Sequence, residues 1–319
     1  MERKQRTAHI AKTALACVLM IQLAGPAANM ASKLLSDPQV ASFLIFWETG
    51  RLVRLEVTQP PETEPTIAAT TEAPKQKVSF TVQEAEPLEL SNFTDYDPDL
   101  AELLTSPLSW DLTEGGPAVL ILHTHATESY ADTPGYRTED ENANMLRIGQ
   151  EIKRILEENG IGVIHDTTLH DEPSYNNSYI YARETIEARL QECPSIRMVL
   201  DIHRDAFELS ETVQLSTNAT VDGESSAQLM LVMGTDAGNR YHPNWQGNLA
   251  VALKLQVLLE RDSPGICRRM QLRTERFNQD LSPAGMLVEV GAAGDTLEEA
   301  LMAARALARC IVELSQGTD

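Results

Sequence analysis

Residues 117–130 read Pro-Ala-Val-Leu-Ile-Leu-His-Thr-His-Ala-Thr-Glu-Ser-Tyr. A run of branched aliphatic residues that ends at two histidines is typical of a buried strand with polar side chains at its carboxyl end. Because side chains alternate along a strand, His123 and His125 would face the same side if the extended conformation continued through them. Open α/β sheets gather ligands at the carboxyl ends of their strands, so this stretch predicts both the fold class and the place of the chemistry.

Helix and strand patterns alternate after residue 117. Apolar residues recur at helical spacing over residues 145–156, and Asn159-Gly160 is a typical helix end. Further helices are predicted over residues 183–193, 248–260 and 296–314, and further strands over residues 161–164, 197–203, 227–233 and 286–290. This alternation predicts a three-layer α/β fold, in which a mainly parallel twisted sheet carries helices on both faces.

The N-terminal part has a different character. A basic flank over residues 1–6 precedes an apolar run over residues 13–24. This pattern is typical of a membrane anchor whose N-terminus lies in the cytoplasm and whose following residues are exported. The small residues Gly25-Pro26-Ala27 leave a cleaved signal peptide open as the alternative. We predict a transmembrane anchor over residues 1–35, so that the protein crosses the cell membrane once with its catalytic domain outside the cytoplasm.

A linker is predicted to follow the anchor. Residues 57–82 are rich in Thr, Pro, Glu and Ala, a composition that cannot bury apolar surface and that favours an extended, disordered spacer. Short apolar patches around Phe93, Leu100, Leu104 and Trp110 are irregular, and a docking arm on the domain is one interpretation of them. We assign residues 36–113 to the juxtamembrane segment and linker, and residues 114–319 to the catalytic domain.

Net charge and cysteine spacing argue against some kinds of binding partner and some kinds of metal site. The chain of 319 residues has 47 acidic side chains against 26 Lys and Arg, a formal charge of −21. This charge argues against nucleic acid as a partner, and against tight adhesion to anionic wall polymers or lipid. The cysteines have no Cys-x-x-Cys spacing, which argues against a thiolate zinc site; they are Cys17, Cys193, Cys267 and Cys310.

Three further groups of residues are candidates for chemistry. Residues 201–205, Asp-Ile-His-Arg-Asp, end another apolar strand, and a carboxylate beside His203 suits a metal ligand, although a satisfied polar strand end is the alternative. Residues 139–141, Glu-Asp-Glu, precede a helix and offer a third ligand, unless they only complement the helix dipole. Glu289 lies within an otherwise apolar strand, where a buried carboxylate is costly unless it functions; a solvated edge strand is the alternative.

Four ordered motifs carry a resemblance to a known family. They are His123-Thr-His-Ala-Thr-Glu-Ser-Tyr130, Asp201-Ile-His-Arg-Asp205, Arg276-Phe-Asn-Gln-Asp-Leu-Ser-Pro283 and Leu287-Val-Glu-Val-Gly291. From about residue 117 to the end, the chain resembles the stage II sporulation protein P family, membrane-anchored peptidoglycan hydrolases of endospore-forming bacteria. That family is similar to zinc-dependent N-acetylmuramoyl-L-alanine amidases. The resemblance implies a twisted α/β fold, Zn²⁺, and cleavage of the amide between muramic acid and the stem peptide.

The resemblance also implies roles for individual residues. His203 corresponds to the second zinc histidine and Glu289 to the catalytic glutamate, while the first zinc histidine falls on either His123 or His125. Glu141 is favoured as the carboxylate ligand on residue type, with Glu139 and Asp140 as alternatives. Arg204 either stabilises a developing oxyanion or pairs with Asp205.

The resemblance has consequences beyond the site. It implies endopeptidase activity on cross-links, and action beside stage II sporulation proteins D and M at the engulfing membrane of the mother cell. Two rival functions stay open. One is a catalytically silent module of the same fold that binds the wall or assembles a complex, and the other is a zinc carboxypeptidase that acts on stem peptides.

Overall fold

A seven-stranded sheet forms the centre of the protein. The computed structural model describes residues 77–206, 208–210 and 213–319. Across the sheet the strands lie in the order β1 (Leu90–Asn92), β10 (Met270–Arg273), β9 (Leu229–Gly234), β11 (Gly285–Ala292), β4 (Met198–Asp205), β2 (Val119–Leu122) and β3 (Val163–His165). Two small hairpins stand outside it, β5 (Glu208–Ser210) with β6 (Val213–Gln214), and β7 (Ala219–Val221) with β8 (Glu224–Ser226).

Parallel pairing dominates the sheet. Only β9 and β11 run antiparallel to one another, and every other neighbouring pair in the sheet is parallel. The helices that connect and cover the strands are α1 (Leu100–Thr105), α2 (Met145–Glu158), α3 (Ser178–Glu192), α4 (Trp245–Asp262) and α5 (Leu297–Glu313). The predicted α/β class with a mainly parallel sheet is confirmed.

The two faces of the sheet are covered unequally. One face carries the main apolar core, in which β2, β4 and β11 pack against α2, α4 and α5. On the other face, Leu120, Leu122 and Val199 pack against Ala182 and Ile186 of α3. Because α3 covers β2 and the start of β4, the carboxyl end of β4 and the adjoining part of β11 can present polar side chains on that second face.

Strand register aligns these polar side chains. Leu287 lies opposite Asp201, and Glu289 lies opposite His203, in the parallel pairing of β11 with β4. Alternation along a strand places residues two apart on the same face. Asp201, His203 and Glu289 therefore share the face that α3 leaves partly open, while the apolar residues between them fill the main core.

Residues 77–113 pack onto the sheet and the C-terminal helix. Strand β1 pairs with β10, and Leu104 and Leu112 are fully buried in the main core. The Trp110 indole Nε1 donates a hydrogen bond to the Leu314 carbonyl at 2.9 Å. The packed unit therefore begins on the N-terminal side of the boundary predicted at residue 114, because the irregular apolar patches find partners distant in sequence.

The membrane prediction needs a correction. Among the described residues, none of the helices has the length and hydropathy that a bilayer crossing demands. The longest of them, α4, has 18 residues and includes Lys254, Glu260, Arg261 and Asp262. The predicted single-pass location in the cell membrane is contradicted by this finding. The anchor predicted over residues 1–35 lies outside the described residues.

Leu104 tests whether the N-terminal arm contributes to the stability of the domain. Replacing it by Ala removes a fully buried side chain, and the free energy of unfolding should fall by about 2–5 kcal/mol. Urea denaturation followed by circular dichroism measures this change. Val82→Ala is the matched control, since Val82 is 53% exposed and its replacement should leave stability within about 0.5 kcal/mol of the parent. Equal stabilities of the two variants would show that the arm is dispensable.

Candidate metal centre

The turn that follows β2 separates the two histidines of the His-Thr-His motif. Strand β2 ends at Leu122, and residues 124–127 form a turn in which the Glu128 amide donates to the His125 carbonyl at 3.2 Å. The extended conformation therefore stops before His125, and the condition for His123 and His125 to face the same side is not met. Their side chains have different surroundings.

His123 is fully buried beneath the turn. Its Nδ1 lies 3.0 Å from the Ile202 carbonyl oxygen and its Nε2 lies 2.9 Å from Nε2 of His165. Burial, together with the nearby His165 ring, lowers the pKa of His123 to about 3. Both ring nitrogens are already engaged with protein partners, so His123 is a packing and hydrogen-bonding residue in this arrangement.

His125 lies in a cluster with Glu128 and His203. One ligand atom from each residue lies within 4.8 Å of the other two. The His125 Nδ1 is 3.5 Å from Glu128 Oε1, and the His203 Nδ1 is 3.8 Å from Glu128 Oε2. Glu128 is buried, and its Oε2 has no hydrogen-bond partner among the described residues. A buried carboxylate oxygen without a partner is costly, and a cation between the two histidines would satisfy it.

The Asp201 carboxylate contacts the Nε2 side of the His203 ring. Its Oδ1 lies 2.9 Å from His203 Nε2, and the same carboxylate accepts hydrogen bonds from the Thr124 amide at 2.8 Å and the Thr124 hydroxyl at 2.6 Å. This contact favours a proton on Nε2, so Nδ1, which lies 3.8 Å from Glu128 Oε2, is the nitrogen that would bind a metal when the ring is neutral. A carboxylate behind a histidine is the arrangement that orients metal-binding imidazoles.

Charges within the cluster shift the ionisation of its members. Burial alone would lower the pKa of His203, but the Asp201 carboxylate outweighs burial and raises it above its usual value. For Glu128, burial acts to raise the pKa, yet the hydrogen bond from His125 and the charges of Arg204 and His203 lower it overall. The cluster therefore holds Glu128 ionised, which is the form that binds cations.

Glu289 stands beside His203 on the neighbouring strand. The residues are paired in register between β11 and β4. The Glu289 Oε2 is buried and has no hydrogen-bond partner in the described part of the chain. Burial raises the pKa of Glu289 to about 8, and the nearby carboxylates of Glu128 and Asp205 act in the same direction. The solvated edge-strand alternative does not apply, since β11 lies between β9 and β4 within the sheet.

Arg204 anchors the loop that carries Glu128. Its Nε donates to the Ser129 carbonyl and its Nη2 donates to the Tyr136 carbonyl, each at 3.0 Å. Its Nη1 lies 3.9 Å from Glu128 Oε1. The neighbouring Asp205 pairs with Arg268 at 2.7 Å. Arg204 thus holds the backbone at Ser129 and Tyr136 in place and puts its positive charge next to the Glu128 carboxylate.

The acidic residues before α2 lie outside the cluster. Glu139, Asp140 and Glu141 are all exposed. Glu141 lines a surface cavity of about 410 Å³ together with His165. Asn144 caps α2, since its side chain accepts a hydrogen bond from the Leu146 amide. Sequence reasoning missed Glu128; the available signal was its spacing of three residues from His125, which brings both side chains to one side of a turn.

Two tyrosines form a wall beside the cluster. The Tyr175 ring stacks on His125 with centroids 4.3 Å apart. The Tyr179 ring meets His125 edge-on at 5.7 Å and lies nearly parallel to the His203 ring at 6.4 Å. Burial raises the pKa of Tyr179 above its usual range, so its hydroxyl stays protonated. The wall limits the access of water to the cluster from this side.

Comparison with known proteins identifies the family. The model of the stage II sporulation protein P (SpoIIP) family matches residues 48–312. The chain belongs to this family. Over 212 residues it is 28% identical to stage II sporulation protein P of Bacillus subtilis (strain 168), a match that covers 61% of this chain and 50% of the relative. The chain thus matches about half the length of that curated relative.

Two of the solved structures to which the chain shows similarity are N-acetylmuramoyl-L-alanine amidases. AmiC2 of Nostoc punctiforme is 17% identical, with a TM-score of 0.41 over 64% of this chain and 99% of that one. The catalytic domain of CwlV from Bacillus (Paenibacillus) polymyxa var. colistinus is 11% identical, with a TM-score of 0.38 over 62% of this chain and 97% of that one.

Gly149 of α2 tests the packing beneath the His-Thr-His motif. A Cβ at this position would lie 2.5 Å from His165 Nε2 and 2.6 Å from His123 Nε2. Gly149→Ala gains up to about 1 kcal/mol of helix propensity, but overpacking of this kind costs about 1–3 kcal/mol. We expect a net loss in the free energy of unfolding, measured by urea denaturation.

A double-mutant cycle isolates the contact with His165. If the two groups collide, Gly149→Ala should be less destabilising in a His165→Ala background, where one of the two rings is absent. A rise in stability for Gly149→Ala alone, or identical effects in both backgrounds, would contradict the close packing described here.

Proposed function

We propose that this protein is a zinc-dependent peptidoglycan hydrolase, an N-acetylmuramoyl-L-alanine amidase that thins the septal wall during engulfment in sporulation. Family membership supports the sporulation role. The observation that carries the chemistry is the buried Glu128 carboxylate between His125 and His203, with an oxygen that lacks a protein partner. Endopeptidase action on cross-links is a further part of the proposal.

His125, Glu128 and His203 are the proposed ligands of Zn²⁺. Two imidazoles and one carboxylate form a donor set that catalytic zinc sites use. Of the candidates considered from the sequence, His125 and His203 keep this role, His123 supports the turn from below, and Glu128 takes the role given to Glu141. When bound, Zn²⁺ supplies Lewis-acid chemistry, polarising a substrate carbonyl and lowering the pKa of water.

Glu289 is the proposed proton carrier. Its buried oxygen faces the cluster side of the sheet, beside His203, and no described protein group competes for a proton at that oxygen. A carboxyl group in such surroundings can accept a proton during attack on the amide and donate it to the leaving amine. Glu289 thus supplies general acid and base chemistry from the neighbouring strand.

Arg204 has a positioning role in this proposal. Its hydrogen bonds to the Ser129 and Tyr136 carbonyls hold the loop after Glu128 in place. The Tyr175 and Tyr179 rings orient His125 and exclude water on one side. The formal charge of −21 opposes adhesion to an anionic wall, which favours partner proteins for targeting; stage II sporulation proteins D and M are the partners proposed.

Zinc affinity tests which of Glu128 and Glu141 is the carboxylate ligand. Glu128→Gln should lower zinc affinity by roughly 10-fold or more, because it removes the only charged ligand between the histidines. Glu141→Gln is the matched control and should bind zinc as the parent does, since Glu141 is exposed and outside the cluster. Isothermal titration of the metal-stripped proteins with Zn²⁺ gives both values. The reverse pattern would return the ligand role to Glu141.

Turnover tests the role of Glu289. Glu289→Gln keeps the size of the side chain but removes its proton chemistry, so release of stem peptides from purified sacculi should fall by about 10²–10⁴-fold while zinc content stays at the parental level. Mass analysis of the products separates whole stem peptides, expected of an amidase, from single amino acids, expected of a carboxypeptidase. Parental turnover by Glu289→Gln would refute the assigned role.

A further inference from the structure

A second cavity adjoins the aromatic wall of the candidate metal centre. It has a volume of about 360 Å³, and its lining includes Tyr179, Ile180, Arg240, Arg276, Phe277 and Asn278. Tyr179 belongs to both features, because its ring also lies 6.4 Å from the His203 ring. The Phe277 ring, which also lines the cavity, is 6.0 Å from the Tyr179 ring. The cavity therefore shares Tyr179 with the surroundings of the proposed ligands.

The backbone that shapes this cavity is strained and firmly held. Phe277 and Asn278 both have positive φ values, 49° and 58°, and such conformations in residues other than glycine persist where the surroundings enforce them. The Asn278 side chain donates to the Tyr179 carbonyl at 2.8 Å. Gln279 donates to the Val232 carbonyl at 2.8 Å and accepts from the Gly234 amide at 2.8 Å. Of the two residues, Phe277 has the unfavourable conformation, and the hydrogen bonds of Asn278 and Gln279 hold the backbone that follows it.

The cavity combines apolar surface with one arginine, Arg240, that has no ion-pair partner among the described residues. Ile180 is 58% exposed despite its size. Arg183 pairs with Asp280 at 3.0 Å and with Glu187 at 2.9 Å, Arg276 pairs with Asp280 at 3.2 Å, and Glu275 pairs with Arg273 at 3.3 Å. Within residues 77–206, 208–210 and 213–319, Arg240 is exposed and has no hydrogen-bond or ion-pair partner. A free cation beside apolar side chains, in a protein of charge −21, suits an anionic ligand with apolar parts.

We propose that this cavity binds the stem peptide of peptidoglycan, with Arg240 pairing the free α-carboxylate of its glutamate. This inference rests on the proposed function, since the scissile amide must lie at the metal centre and the stem peptide must extend from it. The stem peptide carries carboxylates close to its first amide, whereas the uncharged sugar hydroxyls give Arg240 no ionic partner. Tyr179 and Phe277 would pack against the peptide and its small side chains. Arg240 is thus a specificity residue for an acidic peptide.

Binding of a synthetic stem peptide tests the proposal without turnover. The full chain carrying Glu289→Gln is titrated calorimetrically with L-Ala-γ-D-Glu-meso-diaminopimelate, and with the analogue in which the glutamate α-carboxylate is amidated. Arg240→Gln should weaken binding of the acidic peptide by about 10-fold, the scale of one lost charge-assisted hydrogen bond. It should change binding of the amidated peptide much less. Arg240→Lys should restore part of the affinity.

Arg269→Gln is the matched control, because Arg269 is an exposed arginine that pairs with Glu89 and does not line the cavity. It should bind both peptides as the parent does. Equal affinity of the Arg240→Gln variant and the parent for the acidic peptide would overturn the proposal. So would an equal loss for the acidic and amidated peptides.

Hydrolysis of sacculi distinguishes a failure of the proposed peptide subsite from a failure of the proposed hydrolase function. If the parent hydrolyses sacculi but Arg240→Gln keeps parental peptide affinity and KM, the subsite fails while the proposed function stands. If the parent is inactive but peptide binding still depends on Arg240 and on the carboxylate, the subsite stands and the hydrolase function fails. With both correct, Arg240→Gln should raise KM for soluble muropeptides about 10-fold and leave kcat near the parental value.

Discussion

The Asp201 carboxylate joins the two halves of the candidate metal centre. One of its oxygens lies 2.9 Å from His203 Nε2, and the carboxylate also accepts two hydrogen bonds from Thr124 in the turn after β2. The same buried group therefore fixes the ring of His203 on β4 and the turn that presents His125 and Glu128. Burial opposes its charge, but the contacts with His203 and Thr124 outweigh burial and hold the pKa of Asp201 low, at about 2. Loss of this carboxylate would release both halves at once.

Uneven covering of the sheet makes room for this polar group. Helices α2, α4 and α5 bury one face completely, so the alternate residues of β4 and β11 on that face are apolar. On the second face α3 packs only over β2 and the start of β4. There, Asp201, His203 and Glu289 can lie side by side in register without displacing core residues. Asp201 has its polar partners in place, whereas Glu128 Oε2, Glu289 Oε2 and His203 Nε2 are buried without a well-aligned hydrogen bond among the described residues.

The sequence predicted the parts of the site that depend on strand periodicity, and missed the part that depends on a turn. His203 and Glu289 are predicted to lie together because each interrupts or ends an apolar strand, and the structure pairs them in register. Residues 124–127 turn instead of extending, which no alternation rule reveals. Glu139, Asp140 and Glu141 are exposed and precede the N-cap Asn144, so they lie outside both the cluster and the first turn of α2, where the helix dipole acts. The packing of Leu104 and Leu112 depends on contacts with distant segments, so irregular local spacing could not predict it.

Electrostatics couples the proposed metal ligands to the proposed proton carrier. Burial is the largest cause of the raised pKa of Glu289, and the negative charge of Glu128 adds to it, while His203 and Arg204 oppose it. A divalent cation bound by Glu128 would turn the net charge next to Glu289 from negative to positive. The pKa of Glu289 would then fall toward its usual value. Ligand loading and proton affinity would then change together, because the same buried carboxylate sets both. Glu128 follows a turn and Glu289 lies on a strand, and both are next to His203, which is why a cation bound by Glu128 would act on Glu289.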